Sequence, residues 1–446
     1  MPFSMSKLLP ALRAFRAARS GNVAITFAFA TLPVIGLVGA AVDYSRANAV
    51  KASMQTALDS TALMLSKEAA TDTTDQLQAS ATKFFNALFA PPGVSNIAVT
   101  VNYTTSGGSA VALNGQADVP TTFMNVFGYQ KITVTDSTTS KWGSVRLRVA
   151  LVLDNTGSMA DDGKMTALKS ATKSLLTQLR SAVSTDGDVY VSIIPFSKDV
   201  NVGSSYYNQN WIDWTSWNAS NQTCTWTWTG SNWTSSCTPK SHTTWNGCVT
   251  DRNKTQVPST TYDYDQSAQN PDPATPDSLF VAEQYGSCPV AMMGLSYDWT
   301  GMNNLVDSMQ PNGNTNQPIG LVWGWQSLVG GGPLTAPLTS TDYTYQKIII
   351  LLSDGLNTQD RWYSSQSSVD GRMLSSSDGS GTCANIKAAG ITIYTIQVNT
   401  GGDPTSSLLR SCASDTSKFW MLTSSGQIAM TFQQIGTNLT QLRVAQ

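Results

Sequence analysis

Asp154, Thr156 and Ser158 stand at alternate positions in the stretch VALVLDNTGSM, which begins at Val149 and opens with an apolar run. Asp354 follows a second apolar run, KIIILLSDG from Lys347, and Thr315 lies between the two in PNGNTNQPIGL. Two carboxylates and three hydroxyls are all hard oxygen donors. They suit an octahedral divalent cation, Mg²⁺ first, with Mn²⁺ or Ca²⁺ at adjusted distances. With only two acids in the set, the ion would keep residual positive charge. An open coordination position on it would then accept an acidic side chain from a protein ligand.

Catalysis fits the same residues poorly. A serine nucleophile needs an activating base, and the chain's one histidine is His242, far along the sequence from Ser158. No Gly-x-Ser-x-Gly elbow or phosphate-binding Gly-Lys-Ser/Thr loop is present. Asp161 and Asp162 are expected to start a helix, where acids complement its positive end. The expectation is therefore a binding protein with no catalytic residues.

The elements that must position these side chains read as α/β. The runs RLRVALVLD, DVYVSIIPF, KIIILLSD and ITIYTIQV alternate with an amphipathic segment at 164–180, an apolar helical segment at about 319–329, and the helix GTCANIKAAG. A last helix carries Ile428, Phe432, Ile435, Leu439 and Leu442 on one stripe. Continuous apolar strands alternating with helices predict a doubly wound, mostly parallel sheet, whose ligands bind at the carboxyl ends of its strands. This domain spans 145–446. An insertion at about 203–287 interrupts it and carries seven of the thirteen tryptophans, between Trp211 and Trp245. Tryptophans and disulfides are expected to form that insertion's core, with a platform for sugars or a partner as the alternative.

Upstream, residues 22–42 carry no charge and as a helix would span about 31 Å, enough to cross a bilayer. Lys7, Arg13, Arg16 and Arg19 precede the run, so a basic segment at 1–21 is placed in the cytoplasm and the bulk of the chain outside it. The run is longer than the roughly 7–15 apolar residues of a signal peptide, so an uncleaved anchor is expected. Gly36 and Ala40 offer a small-residue face for another membrane helix. Residues 43–144 read as a helical stalk plus a small α+β module, with strands near Ile97, Ser109 and Lys131.

Charged residues make up 13% of the chain and the net charge is −2, so no basic field exists to bind nucleic acid. The six cysteines, Cys224, Cys237, Cys248, Cys288, Cys383 and Cys412, include no Cys-x-x-Cys pair, which argues for disulfides over zinc. Six cysteines allow 15 connectivities. The preferred pairing joins Cys224 to Cys237, Cys248 to Cys288, and Cys383 to Cys412, the last because both flank one late strand.

Asp-x-Thr-Gly-Ser after a strand, a Gly-x-Thr loop and Asp-Gly after a later strand resemble the metal-ion-dependent adhesion site of von Willebrand factor type A domains. The resemblance implies that Thr156, Ser158 and Thr315 ligate the ion through hydroxyls, with Asp154 and Asp354 bound directly or through water. Position 156 is Thr where many members have Ser, and both supply a hydroxyl. The segment ARSGNVAITFAFATLPVIGLVGAAVDYSRANAVKASMQTALDSTAL is similar to TadG-type Flp/Tad pilus assembly proteins. In these a TadE/TadG-like membrane segment precedes a periplasmic region that often ends in a type A domain. The combined resemblance implies an inner-membrane protein with other pilus-system proteins as partners. The alternative is a surface-exposed adhesin that binds host or abiotic surfaces through the type A domain or the Trp-rich insertion.

Overall fold

The computed structural model describes residues 21–69, 72–105, 108–143, 145–183, 185–257, 260–267, 269–330, 333–374 and 381–444. The expected basic segment, all but its last residue Gly21, lies outside them. Two compact units divide the chain, one ending at Trp142 and one starting at Gly143.

In the first unit the expected membrane run and the helix expected beyond Arg46 form one element, Gly21–Leu65, of 45 residues. At 1.5 Å per residue it is about 68 Å long. Among the described residues it is the one helix long and apolar enough to cross a membrane, over Ile25–Leu65. Its later half is a core element: Met54, Leu58, Ala62 and Leu65 are buried. They sit in one cluster with residues of a three-stranded antiparallel sheet, Ser95–Thr104, Ser109–Pro120 and Lys131–Trp142. Gly115 on the middle strand lets the helix approach, since a Cβ there would lie 3.1 Å from both Met54 and Leu58. A second helix, Thr74–Leu88, starts at a capping box of Thr73 and Gln76 and buries Leu77, Ala81 and Phe85.

The second unit is built on a ten-stranded sheet. Its centre runs Phe419–Leu422, Thr392–Val398, Thr344–Ser353, Val145–Asp154, Val189–Phe196, all parallel. Met293–Ser296, which the sequence pattern did not flag, pairs antiparallel to Val189–Phe196. Val200–Asn201 and then short strands of the insertion continue the sheet beyond Val189–Phe196. Alternation along Val145–Asp154 feeds two cores. Val149, Leu151 and Leu153 face the helices Lys164–Ser181 and Gln427–Val444. Ala150 and Val152 face Gln317–Val329. With helices on both faces this is the expected doubly wound α/β architecture.

Helix Gln317–Val329 is buried from Gln317 through Leu328, which is why its sequence shows no polar face. Two glycines let it touch the sheet: a Cβ at Gly320 would lie 2.7 Å from the Phe196 ring, and one at Gly324 would lie 2.6 Å from Val152.

Two local expectations are corrected. Asp161 and Asp162 do not start the helix. They form a non-helical kink within the stretch Gly157–Gly163, and the helix begins at Lys164. Asp162 and Gly163 both have left-handed φ, 52° and 68°, which breaks helical continuation there. The insertion is also not uniformly Trp-cored. Trp211, Trp217 and Trp245 are buried, and Trp214 stacks on His242 with ring centroids 3.7 Å apart. Trp226, Trp228 and Trp233 are exposed, because Gln222–Trp228 and Trp233–Pro239 pair only with each other, in a hairpin. Disulfides join Cys224 to Cys237 across that hairpin, Cys248 to Cys288, and Cys383 to Cys412.

The close approach of Gln317–Val329 yields a prediction. Leucine normally raises helix propensity over glycine. Here Gly320→Leu and Gly324→Leu should each lower stability by roughly 1–3 kcal/mol through overpacking. Gly371, helical and with nothing within 4 Å of its Cβ position, is the control. Thermal melts of the full chain in detergent should show Gly371→Leu unchanged or raised. Equal behaviour at all three positions would refute the close-packing account.

Candidate metal centre

Strands Val145–Asp154 and Thr344–Ser353 are parallel neighbours in register, Leu153 opposite Leu352, so Asp154 comes level with Ser353 and Asp354 follows one residue later at the same carboxyl edge. The loop after Asp154 is tied to the Thr315 loop by two backbone hydrogen bonds. Gly157 N donates to Gly313 O at 2.9 Å and Asn312 N to Asn155 O at 2.8 Å. Thr315 in turn is fixed to the segment after Asp354. Its N–H donates to Thr358 Oγ1 at 2.8 Å and its carbonyl accepts from Thr358 N at 2.9 Å. Three loops distant in sequence thus meet at one edge.

Four of the five sequence-selected residues form one hydrogen-bonded chain. Asp154 Oδ1 accepts from Thr156 N at 2.9 Å. The Thr156 and Ser158 hydroxyls share a hydrogen bond of 3.1 Å, and Ser158 Oγ donates to Asp354 Oδ1 at 2.7 Å. Thr315, 4% exposed, stands on the facing loop. Asp154 is fully buried and Asp354 nearly so. Burial, and after it the neighbouring Asp354 carboxylate, push Asp154 up to about 7.

Sequence reasoning missed the groups that hold these acids. Ser353 Oγ donates to Asp154 Oδ2 at 2.6 Å, and Gln317 Nε2 donates to Ser353 Oγ at 3.0 Å. Lys164 Nζ, on a side chain 8% exposed, sits 2.5 Å from Asp354 Oδ2. One signal for Lys164 was available. A cation at the first helical residue opposes the helix dipole, which is unfavourable unless an anion stands nearby.

A second buried network braces the Thr315 loop from the insertion side. Asn316 Nδ2 and Arg361 N donate to Asp251 Oδ2, each at 3.0 Å. Arg372 reaches Asp251 at 2.5 Å, Asp263 at 2.9 Å, Asp265 at 2.8 Å and Asp360 at 3.3 Å. Burial pushes Asp251 up to about 6 against the opposing pull of Arg372. These acids are engaged by Arg372, so they brace the Thr315 loop.

The donor set fits a hard divalent cation. Every candidate donor is an oxygen, from two buried carboxylates and three hydroxyls. Among the described residues, no group of three or more His, Cys, Asp or Glu is placed to hold a metal by itself. A cation here would need hydroxyl donors as well as the acids.

The raised Asp154 value has a signed consequence. Native Asp154 keeps its proton up to about 7, whereas the unfolded carboxyl releases it near 3.8. Between those values the native state binds more protons, so cation-free stability falls as pH rises and is lowest above 7. At ~1.4 kcal/mol per pH unit the effect is of the order of a few kcal/mol. Asp154→Asn, which mimics the protonated acid, should therefore melt higher than wild type at pH 8 in chelator, with the gap closing toward pH 4. A gap independent of pH would contradict this account of Asp154.

Residues 21–72 match the family model Tad, described as "Putative Flp pilus-assembly TadE/G-like". No curated protein gives a significant match. Among solved structures, the chain is similar to proximal thread matrix protein 1 from the mussel byssus, at 12% identity and TM-score 0.31, over 66% of this chain and 46% of that one. It is similar to the pilus adhesin SpaC from Lactobacillus rhamnosus GG, at 13% identity and TM-score 0.34, over 80% and 36%. It is also similar to the vWF domain of the type V pili tip protein Mfa5 from Porphyromonas gingivalis, at 11% identity and TM-score 0.36, over 68% and 97%. The chain thus spans less than half the length of the mussel and SpaC chains. The TadE/G-like match is confined to the N-terminal segment, residues 21–72.

Proposed function

We propose that this chain is a membrane-anchored, non-enzymatic component of Flp/Tad pilus assembly that binds other pilus-system proteins through a divalent cation. The TadE/G-like match supports the pilus role, and the apolar helix supports membrane attachment. The N-terminus lies in the cytoplasm and the bulk of the chain in the periplasm. The metal reading is carried by one observation, the meeting of the Asp154, Thr315 and Asp354 loops at one sheet edge, with Ser158 Oγ 2.7 Å from Asp354.

Thr156, Ser158 and Thr315 would hold the ion through their hydroxyls, and Asp154 and Asp354 would hold it directly or through water, with Mg²⁺ favoured. When bound, the ion supplies a position for an acidic side chain of a partner. The chain's own residues prepare the site. Ser353 and Thr156 N–H orient Asp154, Ser158 orients Asp354, and Lys164 supplies a positive charge to Asp354. A divalent cation and the Lys164 ammonium therefore compete for Asp354.

Calorimetry on the full chain in detergent tests this. Wild type should bind Mg²⁺ and Mn²⁺, and Asp154→Ala should not. Lys164→Met should bind tighter, by roughly tenfold or more, equivalent to about 1.4 kcal/mol. Absence of binding in both wild type and Lys164→Met would remove the metal reading. Binding by both at equal affinity would remove the competition.

A second reading, a surface-exposed adhesin, is favoured by the hairpin. Trp226, Trp228 and Trp233 are 62%, 52% and 63% exposed, and Trp228 faces Trp233 across the strands. They share one face with the Cys224–Cys237 pair, while Thr and Ser fill the other. Exposed indoles on a disulfide-closed hairpin are suited to contact another surface. Antibody raised to the hairpin should label intact cells if the adhesin reading holds, and label only permeabilised cells if the inner-membrane reading does.

A further inference from the structure

The turn joining the second and third strands of the N-terminal unit has a composition unlike that of an aqueous loop. Between Asp118 and Lys131 the sequence VPTTFMNVFGYQ carries no charge. Phe123, Val126, Phe127 and Tyr129 are 42%, 83%, 60% and 64% exposed. Four large apolar side chains on one short turn form a contiguous patch of the sort that marks a contact surface.

The patch lies against the anchor helix at a defined height. A methyl group on Gly36 would meet the Phe127 ring at 3.0 Å, and one on Gly39 would run into the Phe123 side chain. Gly36 and Gly39 belong to the apolar run that ends at Val42, about 9 Å and about 4.5 Å from its end along the helix. Around them Val34, Ile35, Leu37 and Val38 are 57% to 73% exposed, so turn and helix present one continuous apolar surface. The small-residue face expected to meet another membrane helix is thus partly covered, at Gly36, by this chain's own turn.

The backbone of the turn is equipped for a medium without water. Asp43, just past the apolar run and 4% exposed, accepts the N–H groups of Thr122, Phe123 and Met124 at 2.9, 2.9 and 2.7 Å. Thr121 N donates to Gln130 O, Val126 N to Phe123 O, Gly128 N to Asn125 O and Tyr129 N to Met124 O. Irregular backbone persists at membrane depth only when its polar groups are satisfied within the protein. Tyr129 adds an aromatic ring of the amphipathic type enriched at the headgroup level.

We propose that the turn 121–130 is a second membrane contact, its apolar side chains entering the lipid leaflet beside residues 36–42 of the anchor. This rests on the reading that 22–42 crosses the membrane. Helix and turn together would fix the tilt and rotation of the N-terminal unit at the bilayer surface, which one helix alone leaves free.

The test uses the full chain in phosphatidylethanolamine/phosphatidylglycerol liposomes, spin-labelled at Val126→Cys. The described cysteines are all in disulfides, so the label is specific. Leu32→Cys serves as the lipid reference and Ser137→Cys as the aqueous one. The proposal expects Val126 to match Leu32: accessible to oxygen and several-fold less accessible than Ser137 to a water-soluble nickel chelate. Nickel accessibility equal to that at Ser137 overturns it. Protection from both reagents also overturns it, because a second copy of the chain would then cover the turn. A Leu32 label open to nickel would instead show that the anchor reading has failed, and the proposal with it.

Discussion

Two carboxylates are buried at the carboxyl edge of adjacent parallel strands, and the cost of burying both charges together shapes the site around them. Asp154 comes level with Ser353 of the neighbouring strand, and Asp354 follows one residue later. Water cannot screen them there, so charge on one raises the cost of charge on the other. The chain answers with a donor for each oxygen: Thr156 N–H and Ser353 for Asp154, Ser158 and Lys164 for Asp354. A proton on Asp154, the Lys164 ammonium and a bound cation are three alternative ways of relieving the same repulsion. A site held between these states is suited to respond to an ion.

Much of this was legible in the sequence for a physical reason. Parallel strands covered on both faces read as unbroken apolar runs, and residues directly after them lie at the edge where ligands bind. Asp154, Thr156, Ser158 and Asp354 were therefore placed by the ends of their strands. Lys164 was harder to see, because its partner lies 190 residues away and its own neighbours suggest only a helix start. Arg372 and the acids it gathers, Asp251, Asp263, Asp265 and Asp360, look in sequence like ordinary polar loop residues. Only the fold brings them together. The tryptophans divided for a similar reason. In TCTWTWT, Trp and Thr alternate with period two, the mark of a strand with unlike faces, but no sequence feature states that the apolar face lacks a covering layer.

The insertion is more than an appendage. Through Asp251 it reaches Asn316, next to Thr315, and through Arg372 it engages the helix that follows the Asp354 loop. It thereby holds the loop that carries Thr315. Buried ion clusters of this kind lose heavily when one member is removed, since the remaining charges are stranded. The same insertion projects an uncharged aromatic hairpin into solvent. One segment therefore both braces the candidate site and presents a surface.

The central claim is that the three loops hold a divalent cation. Anomalous diffraction from crystals of the chain grown with Mn²⁺ tests it most directly. The account predicts a single strong peak bonded to Ser158 and lying between Asp154 and Asp354, with the Lys164 ammonium displaced from Asp354. A map with no peak there and Lys164 still seated on Asp354 would contradict it.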